Sequence, residues 1–593
     1  MQRSPTPPSI GLVTLNAKYV HLALSVRYLR NAARAAGFGN VWLREYTVRT
    51  PLDQMAAELV ALRPDVLGFS IYIWNRERSL ALIERVKRLL PAVKIVIGGP
   101  EVSFETEAPL PEIDAVIAGE GEVKWVEFLR GWADGWGTGV PGQGQPSAAT
   151  RARWLRYGTD LPKLDTLPYL EEDLAGLEHR LAYLETSRGC PFSCSFCLSA
   201  LDEKVRFFPE AAVKNTVERL VAAGARRIKF LDRTFNLRRS RVLDFFRFLA
   251  RFDGVEFHFE VVGDLLDEPM LAFLETVPPG RFQFEIGVQS ADPAVNARVR
   301  RHQSQKQLFA AMARLRAGGR VHLHADLIWG LPGEDLAAIR ASFETVLALR
   351  PHQLQLGFLK FLPGAPIRAL IARHGYAYDP RPPYELIRHE DLPAGDVAYL
   401  KRCSAAFERY YNSGHFRFAL EALLEEAQGW ELFSALAAAG GESGRDAPPL
   451  EILAQRLAAT GARLVCRRPH ARLTEEALRD LVKLDYFCHH RARRVPGFLQ
   501  GAPVAAPAGL RALRKSRPDS AYAPFAHRIS WAGEPGASRP TLEPSLQPVW
   551  LEFSYADARQ GYFFRPAITE LTVLPPFPVS GSAKQRIPEG ARA

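Results

Sequence analysis

The chain has 593 residues, of which 47% are hydrophobic, and a formal net charge of +11. This length predicts several domains: about four at the usual domain size, and fewer if one of them is a barrel. The sequence has no run of the roughly 18 uninterrupted apolar residues that a membrane-spanning helix needs, and its first residues lack the apolar core of a signal peptide, so we expect a cytoplasmic protein. Arginine is spread throughout without a long basic run, which argues against a nucleic-acid partner.

Residues 9–135 alternate strand-like apolar runs with amphipathic, helix-like stretches. The apolar runs are Ile10–Leu15, Val41–Val48, Val66–Ile73, Lys94–Gly98 and Ala115–Ala118. Strands that alternate with helices favour a parallel, doubly wound α/β sheet. Five strands suit the flavodoxin-like arrangement, in which ligands bind at the carboxyl ends of the strands. We therefore predict an N-terminal domain over residues 1–135.

Residues 136–178 are predicted to be a linker, because a stretch rich in glycine and proline begins there. A second series of alternating strands and helices follows over residues 179–370. Its strand-like runs are Leu181–Thr186, Arg227–Leu231, Glu256–Val262, Phe282–Val288, His322–Trp329 and His352–Phe361. Six such units predict a partial TIM-type barrel, whose function is expected at the carboxyl ends of its strands.

Residues 371–575 are predicted to form a mainly helical domain, because segments rich in alanine and leucine dominate them. The helix-like segments are Asp396–Asn412, Phe416–Ala439, Glu451–Ala458 and Thr474–Tyr486. Some β character follows at Pro548–Phe553 and Thr569–Leu574. The tail, residues 576–593, is predicted to be disordered.

Half of the chain's six cysteines lie in one short segment, with Cys190, Cys194 and Cys197 spaced as C-x3-C-x2-C. A short loop can aim three thiolates at one point but cannot easily supply a fourth. Iron–sulfur clusters are held by cysteine thiolates, usually four, so three ligands would leave one iron open to a small molecule. The alternatives are a zinc site and ordinary buried cysteines.

This spacing, with the aromatic Phe196 before the last cysteine, resembles the signature of the radical S-adenosylmethionine (SAM) superfamily. The resemblance implies that the three cysteines hold a [4Fe-4S] cluster and that SAM chelates its fourth iron. It also implies that reduction cleaves SAM to a 5′-deoxyadenosyl radical. A reductant such as flavodoxin or ferredoxin would then be a partner.

Candidate SAM contacts follow the barrel strands. Asp232, after the second strand, resembles the superfamily's acidic contact for the SAM ammonium, although a turn or helix-capping aspartate is the alternative. Arg301 lies twelve positions after Gln289, where the family places an arginine for the SAM carboxylate. The adjacent Arg300 is an alternative partner, and a solvated arginine face is another. The further candidates are Asn236, Glu260, Gln289 and Ser290, although a structural carboxylate would look like Glu260.

Polar and glycine residues end the strands of the N-terminal domain. Glycines at strand ends let the backbone approach a large planar ligand. The candidates are Asn16, Ser70, Tyr72, Gly98, Gly99, Gly119 and Gly121. The runs Ile-Gly-Gly-Pro and Ala-Gly-Glu-Gly-Glu resemble the cobalamin-binding domain of cobalamin-dependent radical SAM enzymes, which implies bound cobalamin; a purely structural module is the alternative.

The Asp-x-His-x-x-Gly motif of many cobalamin domains is absent. His21 has no aspartate two positions before it and no glycine three positions after it. We therefore expect His21 to lie on a helix face and the corrin to bind without a histidine ligand.

The resemblance implies an enzyme that methylates a carbon of an unidentified small-molecule substrate, or rearranges that substrate. One alternative is methylthiolation of RNA or protein, but those enzymes carry a second cluster on N-terminal cysteines, and no cysteine precedes Cys190. Another is a cobalamin or redox sensor without catalysis. The segment Cys488-His489-His490 is a candidate metal site, with buried structural cysteine as the default. The C-terminal region resembles that of a subgroup whose C-terminal domain has no assigned function.

Overall fold

The structure, a computed structural model, contains two compact units, residues 1–400 and 401–593. It describes residues 7–105, 108–134, 153–155, 161–165, 168–202, 204–440, 448–492, 494–501, 510–517, 519–531, 540–554, 559–560, 563–564 and 567–571. Residues 136–150 of the predicted linker and the predicted disordered tail lie outside the described residues. Within those ranges, no helix has both the length and the apolar content that a membrane span requires.

The N-terminal sheet has six parallel strands in the order β2-β1-β3-β4-β5-β6. The strands are β1 Ile10–Asn16, β2 Val41–Thr47, β3 Val66–Ser70, β4 Lys94–Gly98, β5 Ala115–Ile117 and β6 Arg153–Leu155. The helices are α1 Leu24–Ala35, α2 Leu52–Ala61, α3 Arg76–Leu89 and α4 Glu122–Ala133. The order of the first five strands confirms the predicted flavodoxin-like fold. β6 extends the sheet from within the segment that was predicted to be linker, because its three residues form no apolar run long enough to signal a strand.

Gly68 in β3 lets α4 pack directly against this sheet. A Cβ atom at Gly68 would lie 2.8 Å from Leu12 and 3.1 Å from Trp125. Trp125 of α4 is completely buried. The missing side chain therefore makes room for the largest apolar group on that face, whose burial stabilises the domain.

The second half of this unit is the predicted six-stranded partial barrel, with all strands parallel in the order β14-β13-β12-β11-β10-β7. The strands, including a short antiparallel pair β8 and β9, are β7 Ala182–Leu184, β8 Ser187–Arg188, β9 Arg206–Phe207, β10 Arg227–Phe230, β11 Glu256–Val261, β12 Phe282–Gln289, β13 Val321–Trp329 and β14 Gln353–Phe358. The helices are α5 Glu210–Ala222, α6 Arg239–Leu249, α7 Glu268–Leu274, α8 Pro293–Arg298, α9 Gln305–Gly318 and α10 Leu336–Ala348. A small hairpin of β15 Ala377–Tyr378 and β16 Leu386–Arg388 follows.

A cluster of phenylalanines joins the barrel strands to α6. Phe230 and Phe259 of neighbouring strands have ring centroids 5.1 Å apart, and Phe246 of α6 lies 5.5 Å from Phe284. All four side chains are completely buried. Aromatic contacts at these separations add to the burial of apolar surface, so this face of the barrel strands is the core of the domain.

The chain after the barrel is mostly helical but also contains an antiparallel sheet, in the order β17-β18-β21. The helices are α11 Ala394–Phe407, α12 Arg417–Glu426, α13 Gly429–Ala439, α14 Leu450–Cys466, α15 Glu475–His489 and α16 Leu510–Ser516. The strands are β17 Ser520–Trp531, β18 Pro540–Ser554, β19 Arg559–Gln560, β20 Phe563–Phe564 and β21 Ala567–Leu571.

In this region one sequence prediction is wrong in detail and one strand was not predicted. The segment 416–439, predicted as one helix, is divided into α12 and α13, because Ala427 adopts an extended conformation with φ −132° and ψ 150°. β17 was not predicted as a strand. Pro524 interrupts its pattern, and its pairing with β18 depends on contacts distant in sequence.

Asp485 of α15 caps the beginning of α12. Its carboxylate accepts hydrogen bonds from the backbone N–H groups of Phe418 (3.1 Å) and Ala419 (2.9 Å), and it is almost completely buried. We expect Asp485→Ala to lower the stability of the second unit by about 1–3 kcal/mol, because two buried donors lose their acceptor. Differential scanning calorimetry checks this. Glu476→Ala, which removes an exposed carboxylate from the same helix, is the control; equal melting temperatures for the two variants would refute the capping role.

Candidate functional site

The three-cysteine loop follows β8 and is fixed by backbone hydrogen bonds to other parts of the barrel. Gly189 has φ +91°, and a Cβ there would lie 2.5 Å from the carbonyl oxygen of Lys204. The N–H of Ser195 donates to Val299 (2.8 Å), and its carbonyl accepts from Ile367 (2.7 Å). The position of the loop therefore depends on contacts with residues that follow it in the barrel sequence, Val299 and Ile367 by many positions.

The cysteine sulfurs lie beside polar groups of neighbouring strands. Cys190 and Cys194 are buried and Cys197 is half-buried, and all three are free thiols. The Sγ of Cys190 is 3.7 Å from Thr234 Oγ1, and the Sγ of Cys194 is 3.8 Å from Nη1 of Arg301. Burial raises the pKa of the Cys194 thiol, Arg301 opposes this, and nearby Cys197 and Cys190 add to it. A guanidinium beside a thiol favours the thiolate, the form that binds iron.

Polar and apolar residues alternate along the barrel strands β10 to β13. In β11, for example, His258 and Glu260 alternate with the buried Phe257 and Phe259. Strands of a parallel sheet that is covered on both faces usually form continuous apolar runs. The alternation therefore indicates a polar lumen. Its titratable side chains, which are 10–27% exposed, are Lys229, His258, Glu260, Glu285, His324 and Asp326.

Glu285 is the centre of this lumen network. Its carboxylate accepts a hydrogen bond from Lys229 (3.0 Å) and lies 2.9 Å from Nε2 of His258. Burial opposes ionisation, but His258 and Lys229 hold the pKa of Glu285 well below its usual range. Glu260 is only within 3.9 Å of Lys229, and burial raises its pKa. Asp326 faces His324 at 3.3 Å.

Gln289 and Arg301 meet at an irregularity near the end of β12. The register with β13 shifts between Gly287 and Gln289, and Gln289 adopts a φ of +68°. Nη2 of Arg301 donates to the carbonyl of Gly287 (2.7 Å), which places its guanidinium between this strand and Cys194. The buried Oε1 of Gln289 has no hydrogen-bond partner among the described residues. Such an orphaned acceptor next to the cysteine loop fits a ligand that donates a hydrogen bond.

Two other SAM candidates, Asp232 and Asn236, are buried and already hydrogen-bonded to protein. Asp232 accepts from Thr186 N–H (2.9 Å), Thr186 Oγ1 (2.6 Å) and Ser187 Oγ (2.5 Å). The amide of Asn236 both donates to and accepts from the backbone of Val262. In this geometry both side chains hold strand ends together, and their contact with SAM stays a prediction.

Ser290 is also completely buried. Its hydroxyl lies 3.0 Å from Glu334 and 3.1 Å from the Ser342 hydroxyl. Phe196, by contrast, is half-buried within the cysteine loop. Its role and that of Ser290 stay predictions as well.

The carboxyl edge of the N-terminal sheet combines glycine turns with exposed aromatic rings. Gly99 has φ +115°, and a Cβ there would collide with the carbonyl oxygen of Ile71; Gly119 has φ +81°. Loops at the same edge carry Tyr19, Trp74 and Phe104, which are 69%, 50% and 44% exposed. Three exposed aromatic rings along one sheet edge offer apolar surface to a ligand, although the ring of Tyr19 also lies 4.5 Å from the Arg180 guanidinium.

The remaining corrin candidates also lie at this edge. Gly98 is the last residue of β4, and Gly121 directly precedes α4. Asn16 donates to the carbonyl of His21 (3.0 Å), and Ser70 lies 3.0 Å from the Ser25 hydroxyl. Tyr72 stacks on Trp74, with ring centroids 4.4 Å apart. Asn16 and Ser70 are buried, so they support the edge from within, and direct corrin contact stays a prediction for them.

The prediction that His21 lies on a helix face is wrong. His21 lies in the loop before α1. Its Nδ1 lies 2.6 Å from the hydroxyl of Tyr183 in β7, and its backbone pairs with Leu181. The prediction relied on the helix-like pattern of residues 19–36, but Tyr19 and Val20 lie in a turn, His21 pairs with the barrel strand, and the helix begins only at Leu24. Among the described residues no three His, Cys, Asp or Glu side chains surround a single-ion site, the segment 488–490 included.

Three known families match successive parts of the chain. The B12 binding domain matches residues 10–129 and the radical SAM superfamily matches residues 184–346. The chain is a radical SAM protein with a B12-binding domain. A third family, a protein of unknown function (DUF4080), matches residues 372–506. The family prediction, including a C-terminal domain without an assigned function, is confirmed.

Curated relatives of this B12-binding radical SAM protein include methyltransferases. It is 27% identical over 353 residues to the cobalamin-dependent radical SAM methyltransferase TokK of Streptomyces tokunonensis, covering 54% of this chain and 50% of TokK. It is 28% identical over 346 residues to the hopanoid C-3 methylase of Methylococcus capsulatus, covering 55% of this chain and 64% of that enzyme. The chain thus spans about half the length of the first relative and less than two thirds of the second.

Solved structures share the fold. The cobalamin-dependent SAM radical enzyme OxsB with aqua-cobalamin bound aligns with a TM-score of 0.56 at 14% identity, covering 81% of this chain and 79% of OxsB. The radical SAM methyltransferase TsrM from Kitasatospora setae, with cobalamin and a [4Fe-4S] cluster bound, aligns with a TM-score of 0.51 at 19% identity. The alignment covers 62% of this chain and 75% of TsrM. At these identities the likeness supports the fold of this radical SAM protein.

Sequence reasoning missed most of the lumen network. Of its charged members only Glu260 was a candidate, whereas Lys229, Glu285 and Asp326 were not. The signal was present as the alternation of polar and apolar residues within β10 to β13. That pattern marks a polar face but does not say which strands' polar faces meet, which needs the barrel.

Glu334, which hydrogen-bonds to the ends of two barrel strands, makes the stability of the fold depend on pH. It is completely buried, and burial raises its pKa to about 8, although Ser290 and the N–H groups of Gly330 and Leu331 donate to it. A carboxyl group whose pKa is higher in the folded state contributes its full stabilisation of the fold at low pH. This contribution is lost as the pH rises from the ordinary pKa of about 4.5 to the folded-state pKa of about 8.

We expect Glu334→Gln to flatten this pH dependence, because an amide does not ionise. Chemical denaturation across that pH range checks it, with wild-type stability falling by at most about 1.4 kcal/mol per pH unit from this group. Parallel pH profiles for the two proteins would contradict the assignment.

Proposed function

We propose that this protein is a cobalamin-dependent radical SAM methyltransferase that acts on an unidentified small molecule. The observation that carries the proposal is the position of the cysteine loop. It lies at the mouth of a barrel with a polar lumen, beside Arg301 and Gln289, and it is bonded to the glycine-rich edge of the B12-binding domain.

The cysteine loop fits a [4Fe-4S] cluster with SAM on its open iron. Cys190, Cys194 and Cys197 would hold the cluster. Arg301 would pair with the SAM carboxylate, because a guanidinium binds carboxylates through two parallel hydrogen bonds. Gln289 would use its orphaned Oε1 to accept a hydrogen bond from SAM. When bound and reduced, the cluster supplies the electron that cleaves SAM to a 5′-deoxyadenosyl radical.

The edge formed by Gly98, Gly99, Gly119 and Gly121 fits a corrin ring, and the exposed rings of Trp74 and Tyr19 offer apolar surface to it. Cobalamin held at this edge would supply the methyl group that is transferred. His21 is held by the Tyr183 hydroxyl and by Asn16, so it belongs to the junction between the two domains. The protein's own task is to position both cofactors and to keep water from the radical.

The lumen network gives the substrate side of the barrel a polar character. Lys229 and His258 favour the ionised form of Glu285 in this network. A substrate or SAM group that enters the lumen meets hydrogen-bonding side chains instead of a packed apolar core. This favours a polar small molecule.

The proposal includes two features of the cellular setting. A flavodoxin- or ferredoxin-like reductant would supply the electron. We place the enzyme in the cytoplasm, because a cluster held by cysteine thiolates suits a reducing compartment.

The cluster is tested by anaerobic reconstitution with iron and sulfide, followed by incubation with SAM and dithionite. Wild-type protein should bind iron and form 5′-deoxyadenosine. Cys194→Ala should lose most of the iron and the product, because the loop supplies no replacement thiolate. Cys466→Ala, which removes an exposed cysteine of α14, is the matched control and should keep both. Unchanged iron content in Cys194→Ala would overturn the cluster assignment.

Cobalamin binding is tested separately with hydroxocobalamin and equilibrium dialysis. Gly99→Ala should lose binding, because its Cβ collides with Ile71 and its positive φ strains alanine. Gly39→Ala is the matched control, since a Cβ there meets open space. Retained binding in Gly99→Ala with an unchanged circular dichroism spectrum would remove this turn from the corrin site.

A further inference from the structure

We propose that Arg188 is a positioning residue that ties the cysteine loop to the glycine edge of the B12-binding domain and so sets the separation of the two cofactors. This inference rests on the proposed function. The juxtaposition that carries it is an arginine of the barrel surrounded by carboxylates from both domains.

Arg188 contacts three glutamates. Its Nη1 is 2.8 Å from Glu120 and 2.8 Å from Glu122, which both belong to the B12-binding domain. Its Nε is 3.0 Å from Glu185 at the end of β7. The guanidinium also lies 4.6 Å from the ring of Tyr28 in α1. One side chain therefore joins the barrel to two elements of the other domain.

The two partners of this contact lie directly beside the two proposed cofactor sites in the sequence. Arg188 is two residues before Cys190, and Gly189 between them is held against Lys204. Glu120 lies between Gly119 and Gly121, the turn that fits the corrin. A shift of Glu120 relative to Arg188 would therefore move the corrin turn relative to the first cluster ligand.

The contact is largely shielded from water, so removal of one partner would leave the other charge buried without its counter-ion. The Arg188 side chain is 12% exposed and that of Glu120 is 13% exposed. A second arginine, Arg206, also binds Glu120, and β8 and β9 place the two arginines opposite each other. The guanidinium presents five N–H donors in a fixed planar fork, whereas a lysine ammonium is a compact charge with three donors on a flexible stem and does not hold the same fixed geometry.

The test compares the Arg188→Gln and Arg188→Lys variants with wild type, all reconstituted with cluster and hydroxocobalamin. Each protein is reduced so that both the cluster and cob(II)alamin are paramagnetic. The nearby cluster speeds the relaxation of the cobalt electron spin, an effect that decreases steeply with distance. Pulsed electron paramagnetic resonance measures this relaxation. Arg314→Gln, which removes an exposed arginine paired with Glu268 and Glu275 on the outside of the barrel, is the control.

We expect both Arg188 variants to keep iron and SAM cleavage but to lose part of the relaxation enhancement, with a broadened distribution of rates. Arg188→Lys should lose less, because it keeps the charge. Arg314→Gln should match wild type. Glu120→Gln, measured in the same way, approaches the contact from the other domain and should show the same loss if Arg188→Gln does not fold.

The outcomes separate the two proposals. Wild-type protein without iron or without 5′-deoxyadenosine refutes the proposed function. Wild-type protein that forms 5′-deoxyadenosine while Arg188→Gln and Glu120→Gln relax like wild type refutes the positioning role alone.

Discussion

The barrel strands must meet two opposite requirements, and the rest of the site depends on how they do so. One face of β10 to β13 packs a dense phenylalanine cluster against the outer helices, which stabilises the fold. The other face carries lysine, histidine and carboxylate side chains into a solvent-accessible lumen. Burying charges is unfavourable unless they are paired, and the Lys229–Glu285–His258 network supplies that pairing. A polar interior can thus persist inside a stable barrel.

The cysteine loop depends on this barrel for its geometry. Its backbone is held by residues that lie more than a hundred positions away in sequence, such as Val299 and Ile367. Arg301 connects the loop to the irregular end of β12, where the orphaned acceptor of Gln289 also lies. The loop, the guanidinium and the free acceptor together form the part of the site for which we propose SAM.

The junction of the two domains is polar and largely buried. Besides the contacts of Arg188, Asp173 binds both Arg27 and Arg30 of α1, at 3.1 and 2.6 Å. These carboxylate–guanidinium pairs join the segment that precedes the barrel to the first helix of the B12-binding domain. Removal of one partner of such a pair leaves an uncompensated buried charge, so a change in the junction that separates the partners is unfavourable.

The sequence by itself determined the domain classes, the family and the cysteine loop. Regular alternation of strands and helices predicts both parallel sheets, and the C-x3-C-x2-C spacing is local, so neither requires knowledge of distant contacts. The sequence did not predict β6 or β17, because a three-residue strand and a proline-interrupted strand give weak local patterns. Tertiary structure alone decided which polar candidates stay available. Asp232, Asn236 and Ser290 are engaged within the protein, whereas Gln289 keeps a free acceptor and Arg301 reaches Cys194. Hydrogen-bond partners in a barrel come from neighbouring strands that are far apart in sequence, and only the folded chain brings them together.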